Sequence, residues 1–388
     1  MPAPRSEDLA RAAADWLVAH PGDADDPSLY HGRAGVAIAL REAAAHFGDG
    51  RYEAAALRVG ATLADEVDAV EDSSLYFGLT GMAVALHALG DDASAHRALA
   101  RVRERFDGLR WNDMFELLVG NAGIALGALQ VGDLALAELA VAPYLETADP
   151  TAHGVNWAVR PSPPRSHHVA HGTLGIVLAL ARVGTATGRD DLVELALAGA
   201  ADVVGRDEAG PRGFLVPHSD PPHRPDIIER YSYGWCNGPA GDAHVFRFLG
   251  QVTGDPSWPA LAGRCWVTVT ESGLPDRVRP GFWDNNGRCC GTAGVLALAC
   301  DRLVELDDDP RFADRLVADL RARATLDRTG ARWSNHEHRS TPSELAPQPG
   351  WAMGNAGILR ELLRYIRIRT GRGPVGYAVD WPDHPAAR

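Results

Sequence analysis

Three of the chain's five cysteines stand in two short segments of the same layout. Cys236 precedes one Gly-x-x-Gly step by two residues, and the adjacent Cys289 and Cys290 lead directly into another. A turn at the start of a helix lets adjacent cysteines reach one metal ion, and three soft thiolates with one open position suit catalytic zinc. A lone cysteine in such a turn would be a small packing residue. Three at equivalent turns predict a site for one Zn²⁺ per chain.

The Gly-x-x-Gly step recurs along the sequence and gives it a repeat. Its first glycine occurs seven times, at residues 32, 78, 120, 172, 238, 291 and 354. The spacing of about 40 to 65 residues accommodates one helical hairpin per repeat. The segment after each step is nearly free of charge, as expected of an inner layer, whereas the intervening helices are amphipathic.

Seven hairpins with apolar inner and polar outer helices predict an all-α fold, an α/α toroid (barrel) of two concentric rings. An open solenoid is the alternative, although it would carry polar capping repeats. We expect residues 1–370 to form a single toroid domain and residues 371–388 to form a poorly ordered C-terminal tail. In a closed toroid all seven turns lie at one end, so the side chains beside the glycines converge on a central cavity.

Four long irregular segments lead into the later repeats and are rich in Pro, Gly, His and Arg. They comprise residues 154–168, 205–234, 272–287 and 330–350. Loops of this length are usually functional or disordered. We interpret these as a rim over the mouth of the cavity.

Composition disfavours several classes of function. A formal net charge of −13 argues against a nucleic-acid partner, because phosphate binding needs clustered basic residues. Residues 1–20 lack the basic and apolar regions of a secretory signal, and no run reaches the roughly 18 apolar residues that span a bilayer. An odd number of cysteines fits a disulfide framework poorly. We expect a cytoplasmic protein with no transmembrane segment, in which Cys265 and Cys300 pack in the core.

Three motifs, together with the seven steps in register, resemble the lanthionine synthetase C-like (LanC) family. They are Ala-His-Gly-x-x-Gly at residues 170–175, Trp-Cys-Asn-Gly-x-x-Gly at 235–241 and Cys-Cys-Gly-x-x-Gly at 289–294. The resemblance extends from about residue 28 to residue 366. It implies a seven-hairpin α/α toroid with one zinc near the top of the cavity. It also implies cyclisation of ribosomal peptides, in which a cysteine thiol adds to dehydroalanine or dehydrobutyrine to form a thioether ring.

Carried over position by position, the resemblance implies roles for five residues. Cys236 and Cys289 match the usual zinc cysteines. Cys290 stands where many members have histidine, and its Cys-Cys-Gly setting is similar to a subset of cyclase domains with three cysteine ligands. His171 matches the acid/base histidine, which would protonate the α-carbon after addition. Glu116 falls where members carry an acidic residue, and two interpretations stay open for it: orienting His171, or complementing a helix dipole.

Many members also have an arginine about one turn before the first zinc cysteine. That place falls near Ser232 here, so Arg230 is the nearest candidate for a catalytic arginine. The repeats begin close to residue 1, with no kinase-like or dehydratase region before them. The expected partners are therefore a dehydrated precursor peptide as substrate and a separate kinase/lyase or dehydratase protein.

The sequence leaves other functions open. One is the addition of a thiol, such as glutathione, to dehydroamino acids on modified proteins. Another is a non-catalytic scaffold that holds a peptide for a dehydratase. A carbohydrate-active toroid would need two carboxylates facing the cavity, and the seven turns supply only Glu116 and Asp242.

Overall fold

Each Gly-x-x-Gly step starts a helix of an inner ring. The computed structural model describes residues 6–22, 25–280, 283–338 and 340–385. The helices in these ranges are, in chain order, α1 (Ser6–Ala19), α2 (Arg33–Phe47), α3 (Gly50–Glu66), α4 (Leu79–Ala88), α5 (Asp92–Glu104), α6 (Asn121–Val131), α7 (Leu134–Val141), α8 (Pro143–Glu146), α9 (Thr173–Thr187), α10 (Asp190–Val204), α11 (Pro239–Thr253), α12 (Ser257–Glu271), α13 (Thr292–Leu306), α14 (Arg311–Arg323) and α15 (Asn355–Thr370). Within the described residues, every helix is too short or too polar to cross a membrane.

The helices form two concentric rings. The seven inner helices are α2, α4, α6, α9, α11, α13 and α15. Most of their residues are buried, and alanine, leucine, isoleucine and valine predominate, except that α11 and α15 also bury several charged side chains. Six of them pack against the outer helix that follows in the chain, whereas α15 pairs with α1. The two ends of the chain therefore complete the seventh hairpin, and α15 also packs against α2. The predicted all-α toroid is confirmed, and the open solenoid is excluded.

Glycine and aspartate shape the turns from inner to outer helices. Helix α2 is followed by Gly48, whose φ of 62° lies in the left-handed region that favours glycine. Asp49 then caps α3 by accepting a hydrogen bond from the Arg51 N–H. Asp91 and Asp133 cap α5 and α7 in the same way. In these three hairpins, an aspartate next to the turn caps the outer helix.

A ring of backbone hydrogen bonds joins the turns at the other end of the inner helices. Each donor lies two residues before the first glycine of a step, and the acceptor is the equivalent residue of another turn. Six such bonds, from 2.8 to 3.2 Å, occur within the described residues: Tyr30 to Tyr76, Tyr76 to Leu118, Ala170 to Cys236, Cys236 to Cys289, Cys289 to Ala352, and Ala352 to Tyr30. The last bond joins the seventh turn to the first and closes the toroid.

The second glycine of a step lets the turn pack onto its own inner helix. A Cβ atom on Gly241 would overlap the carbonyl oxygen of Trp235, and one on Gly294 would overlap that of Arg288. Because the obstacle is backbone, no change of side-chain rotamer can relieve the overlap. Glycine is therefore required here for close approach rather than for an unusual backbone angle.

In the part of the chain that the structure describes, three short antiparallel strand pairs lie in the loops. They are β1 (Asp149–Pro150) with β2 (Val155–Asn156), β3 (Arg165–Ser166) with β4 (Ser219–Asp220), and β5 (Thr325–Asp327) with β6 (Gly330–Arg332). Strands of two or three residues are too short to produce an alternating pattern in the sequence. The β3–β4 pair joins the long loops 154–168 and 205–234.

The expectation of a poorly ordered tail is wrong for residues 376–385, which pack inside the inner ring. This segment contacts side chains of α2, α9, α11, α13 and α15. Trp381 stacks on Trp351 with ring centroids 4.6 Å apart and donates a hydrogen bond to the Tyr76 hydroxyl at 3.0 Å. His384 Nδ1 lies 3.1 Å from the guanidinium of Arg288, the residue before Cys289. The tail therefore supports the turns from within the ring.

We expect Gly241→Ala to lower the free energy of unfolding by about 3 kcal/mol or more, because the new methyl group would overlap the Trp235 carbonyl. Gly263→Ala in α12 is the matched control, since a Cβ there meets nothing within 4 Å. It should stabilise the helix by up to about 1 kcal/mol. Chemical denaturation of both variants checks this, and equal effects would contradict it.

A buried charge holds the tail, and its removal gives a second prediction. Glu42 of α2 accepts hydrogen bonds from Arg367 Nη2 at 2.6 Å and from the Ala378 N–H at 2.9 Å. Glu42→Gln should cost about 3 kcal/mol, because it leaves a buried guanidinium without its counter-charge. Glu53→Gln, which breaks the half-exposed pair with Arg41, should cost at most about 1 kcal/mol. Thermal unfolding compares them, and similar losses would refute this account of the tail.

Candidate active site

Cys236, Cys289 and Cys290 lie together at the turn end of the inner ring. Cys290 Sγ is 3.1 Å from Cys236 Sγ and 3.3 Å from Cys289 Sγ, and all three are free thiols. Three sulfur atoms this close can share one ion, since a Zn–S bond is about 2.3 Å long. Cys265 and Cys300 are buried in α12 and α13, as expected.

The hydrogen-bonded ring explains why the sulfur atoms meet. Cys236 and Cys289 occupy equivalent positions in neighbouring turns, and the Cys236 N–H donates to the Cys289 carbonyl at 3.2 Å. Both are buried, whereas the next residue, Cys290, is partly exposed and lines the cavity. The cluster therefore has two sulfur atoms in the wall and one at the surface of the cavity.

The three neighbouring thiols shift one another's pKa values, so that Cys289 is the thiol most readily deprotonated. Hydrogen bonds from Cys236, Cys290 and Tyr30 lower the pKa of the Cys289 thiol. Tyr30 donates its hydroxyl to Cys289 Sγ at 3.3 Å, and the charge on Cys289 raises the pKa of Tyr30. The pKa values of Cys236 and Cys290 are raised by hydrogen bonds to Cys289 and Cys236, respectively. Such an all-sulfur cluster fits a soft divalent cation.

His171 lies in the turn before that of Cys236, one residue before the first glycine of its step. Its Nδ1 is 3.4 Å from Glu116 Oε2, which is an ion-pair contact rather than a well-formed hydrogen bond. The His171 side chain is 38% exposed and lines the cavity, whereas Glu116 is fully buried. Burial lowers the pKa of His171. Its contact with Glu116 and the charge of Cys289 raise that pKa by a larger amount, so the net shift is upward.

Glu116 occupies the one place where the backbone ring is interrupted. The Leu118 N–H donates to Glu116 Oε2 at 2.8 Å, and the Val119 N–H donates to Oε1 at 3.0 Å. Among the described residues, no backbone bond joins Leu118 to the equivalent Ala170. The carboxylate is thus fixed by its own turn while remaining within reach of His171. This geometry favours the orienting role over a simple helix-dipole role.

A cavity of about 580 Å³ opens over these groups. Its walls include His171, Asn237 and Cys290 from the turns. Its other lining residues include several from three of the four long loops, among them Arg160, His218, Tyr231, Tyr233 and Trp283. The rim expected from the sequence is confirmed for these three loops. Asp242 does not line this cavity; it is buried and 2.8 Å from His168 Nδ1.

The structure does not bring Arg230 to the cavity. Its side chain is 53% exposed, pairs with Glu208 and donates from Nε to the Tyr231 hydroxyl at 2.9 Å. Only its backbone approaches the site, through a bond from the His218 N–H to the Arg230 carbonyl at 2.9 Å. The geometry therefore gives no support to a catalytic role for this arginine.

The cavity residues that sequence reasoning missed include Arg160 and His218. Both lie in long loops outside the repeated steps, so no periodic signal marks them. Burial lowers the pKa of His218 to about 4, which keeps its ring neutral at pH 7. Arg160 lines the cavity with His171. Burial lowers the pKa of Arg160, and the charge of Glu116 partly offsets this. The only sequence signal for them is that both lie in the long loops predicted to form the rim of the cavity.

A second cluster of metal-binding residue types lies deeper, formed by His244, Asp301 and His384. Arginines already surround it: Arg247 and Arg364 each donate to Asp301 at 2.6 Å. Burial lowers the pKa of both histidines, to about 4 for His244. The arginines supply the positive charge that a metal would bring, so this cluster joins the tail to α11 and α13 rather than forming a metal site.

Glu116→Gln should lower the pKa of His171, because the substitution removes the charge that favours the protonated ring. NMR titration of the imidazole measures this in apo protein. Asp113→Asn is the control, since it removes an exposed carboxylate three residues away and should leave the titration unchanged. An unaltered His171 pKa in Glu116→Gln would show that the two groups are not coupled.

Comparison with known proteins identifies similar folds and a family. No curated protein matches the sequence. Among solved structures, nisin cyclase superposes with a TM-score of 0.67 at 14% identity, covering 93% of each chain. An unsaturated glucuronyl hydrolase from Bacillus sp. GL1 reaches 0.51 at 16% identity, over 93% of this chain and 96% of the hydrolase. At such identities these likenesses show the fold alone. The model of the lanthionine synthetase C-like proteins matches residues 23–367, and the chain belongs to that family.

Proposed function

We propose that this protein is a zinc-dependent lanthipeptide cyclase. It adds cysteine thiols of a dehydrated precursor peptide to dehydroalanine or dehydrobutyrine and so forms lanthionine or methyllanthionine rings. The observation that carries the proposal is that Cys290 and His171 line one cavity. Cys290 is in contact with the buried Cys236 and Cys289, and His171 is in contact with the buried Glu116. A thiol-binding group and a proton donor therefore face the same space.

The three cysteines would hold the zinc ion. Zinc bound there would lower the pKa of a substrate thiol and keep it as a thiolate near neutral pH. The protein's own contribution is to arrange the ligands in advance: the Cys236 and Cys289 backbones are bonded to each other and to the Ala352 turn. Tyr30 adds a hydrogen bond to Cys289 Sγ, which limits the charge on that sulfur.

His171 supplies the proton that the addition requires. The C–S bond forms at the β-carbon, the electron pair of the C=C bond moves towards the α-carbon, and the imidazolium then protonates that carbon. Glu116 favours the protonated ring and fixes its orientation, and it is itself held by two N–H groups. The substrate thiol gives up one proton and the α-carbon gains one, so no oxidant or reductant is needed.

The remaining features agree with a peptide substrate in a reducing compartment. The loops over the cavity present aromatic side chains, including Tyr231, Tyr233 and Trp283, to whatever enters. All five cysteines are free, as is usual in the cytoplasm. A separate kinase/lyase or dehydratase protein would prepare the dehydrated peptide. Arg230 has no part in this mechanism.

The decisive experiment combines metal content with catalysis. Protein purified without chelators should contain about one zinc per chain by elemental analysis, and Cys289→Ser/Cys290→Ser should contain none. Cys300→Ala, which removes a core thiol from α13, is the matched control and should keep the metal. His171→Asn should also keep the metal but cyclise a dehydrated, cysteine-containing peptide at least about 100-fold more slowly.

Ring formation leaves the peptide mass unchanged, so thiol alkylation followed by mass spectrometry detects it. Loss of alkylable thiol in the wild type, and its retention in both site variants, supports the cyclase. Folded, reduced protein without zinc would overturn the proposal. Consumption of added glutathione with no loss of peptide thiol would instead indicate the thiol-adding reaction on modified proteins.

A further inference from the structure

Arg160 is a cation in the cavity that the proposed mechanism leaves without a task. It lines the same space as His171 and Cys290, and it is only partly exposed. Within the described part of the chain, its Nε is buried with no hydrogen-bond partner and its guanidinium makes no ion pair. The carboxylate whose charge acts on it is Glu116, which already accepts two N–H bonds and faces His171.

Several other enclosed arginines of the protein have acidic partners. Arg33 pairs with Glu66, Arg288 with Glu361 and Arg364 with Asp301. Removing a guanidinium from water without a partner is unfavourable, so buried charges are normally paired. Arg160 departs from this pattern at the one place where a substrate enters. Its missing partner is therefore best sought in the substrate.

The backbone fixes Arg160 relative to the proton donor. The carbonyl of buried Val159 accepts a hydrogen bond from the Phe115 N–H at 2.8 Å, and Phe115 directly precedes Glu116. The Ser162 N–H closes a turn onto the Arg160 carbonyl at 2.8 Å. The backbone that carries Arg160 is thus attached to the turn whose Glu116 contacts His171.

We propose that Arg160 binds the substrate carbonyl oxygen on which negative charge develops during the addition. This inference rests on the proposed cyclase function and deepens it. When the C–S bond forms, the displaced π electrons pass through the α-carbon to the adjacent carbonyl and give an enolate. Guanidinium N–H groups placed in advance stabilise such an oxyanion more than they stabilise the neutral carbonyl. His171 then protonates the α-carbon. The enolate electron pair forms the new C–H bond, and the carbonyl is regenerated.

The test compares Arg160→Gln and Arg160→Lys with Arg230→Gln, which alters the exposed arginine outside the cavity. We expect Arg160→Gln to lower the kcat of cyclisation about 100-fold, as removal of one oxyanion donor does, with KM changed less than about threefold. Arg160→Lys, which keeps the charge, should recover part of this loss. Arg230→Gln should behave as the wild type. Zinc content should be unchanged in all three, and the melting temperature should not fall in any of them.

The outcomes separate this inference from the function on which it rests. A zinc-containing, active wild type whose Arg160→Gln variant keeps its kcat, or changes KM alone, overturns the role of Arg160 and leaves the cyclase standing. A loss of kcat in Arg230→Gln but not in Arg160→Gln assigns the role to the other arginine and also overturns it. Wild-type protein with neither zinc nor cyclisation overturns both proposals.

Discussion

The structure depends on the ring of backbone hydrogen bonds that runs through the seven turns. Each bond uses the same position of the repeat, two residues before the first glycine, so neighbouring turns are held in a common register. The bond from Ala352 to Tyr30 joins the last turn to the first and makes the assembly closed rather than open-ended. Because the residues next to these bonds all face one end, any of them with a reactive side chain contributes to a shared site.

The chemistry follows from where the ring is regular and where it is interrupted. In the regular part, two of its positions are Cys236 and Cys289, whose backbones are bonded directly, and Cys290 follows at once. The interruption lies between Leu118 and Ala170, where the Leu118 N–H donates to the Glu116 carboxylate instead of to a backbone carbonyl. This side-chain hydrogen bond holds the Glu116 carboxylate beside His171. One scaffold thus supplies a sulfur cluster and a carboxylate-paired imidazole through small changes in equivalent turns.

The inside of the ring is unusually polar for a core and depends on the tail. Glu42 and Asp301 are fully buried and are each bonded to arginines of the inner helices and to residues of the C-terminal segment. Such charges are stable only while all partners are present, because an unpaired buried charge costs several kcal/mol. His384 further links the tail to Arg288, which adjoins Cys289. The tail is therefore in direct contact with the turn that carries Cys289.

The sequence by itself determined the repeats, the inner and outer helices, the grouping of three cysteines and the candidate pair His171 and Glu116. The repeats, the two kinds of helix and the cysteine grouping depend on local periodicity or on equivalent positions within a repeat, which a single chain displays directly. The pair His171 and Glu116 was predicted from the resemblance of their motifs to the LanC family. Only the tertiary structure decided that Arg160, rather than Arg230, faces the cavity, and that the tail lies inside the ring. These depend on the paths of irregular loops and on partners far apart in the chain, such as Glu42 and Ala378, for which no local pattern exists.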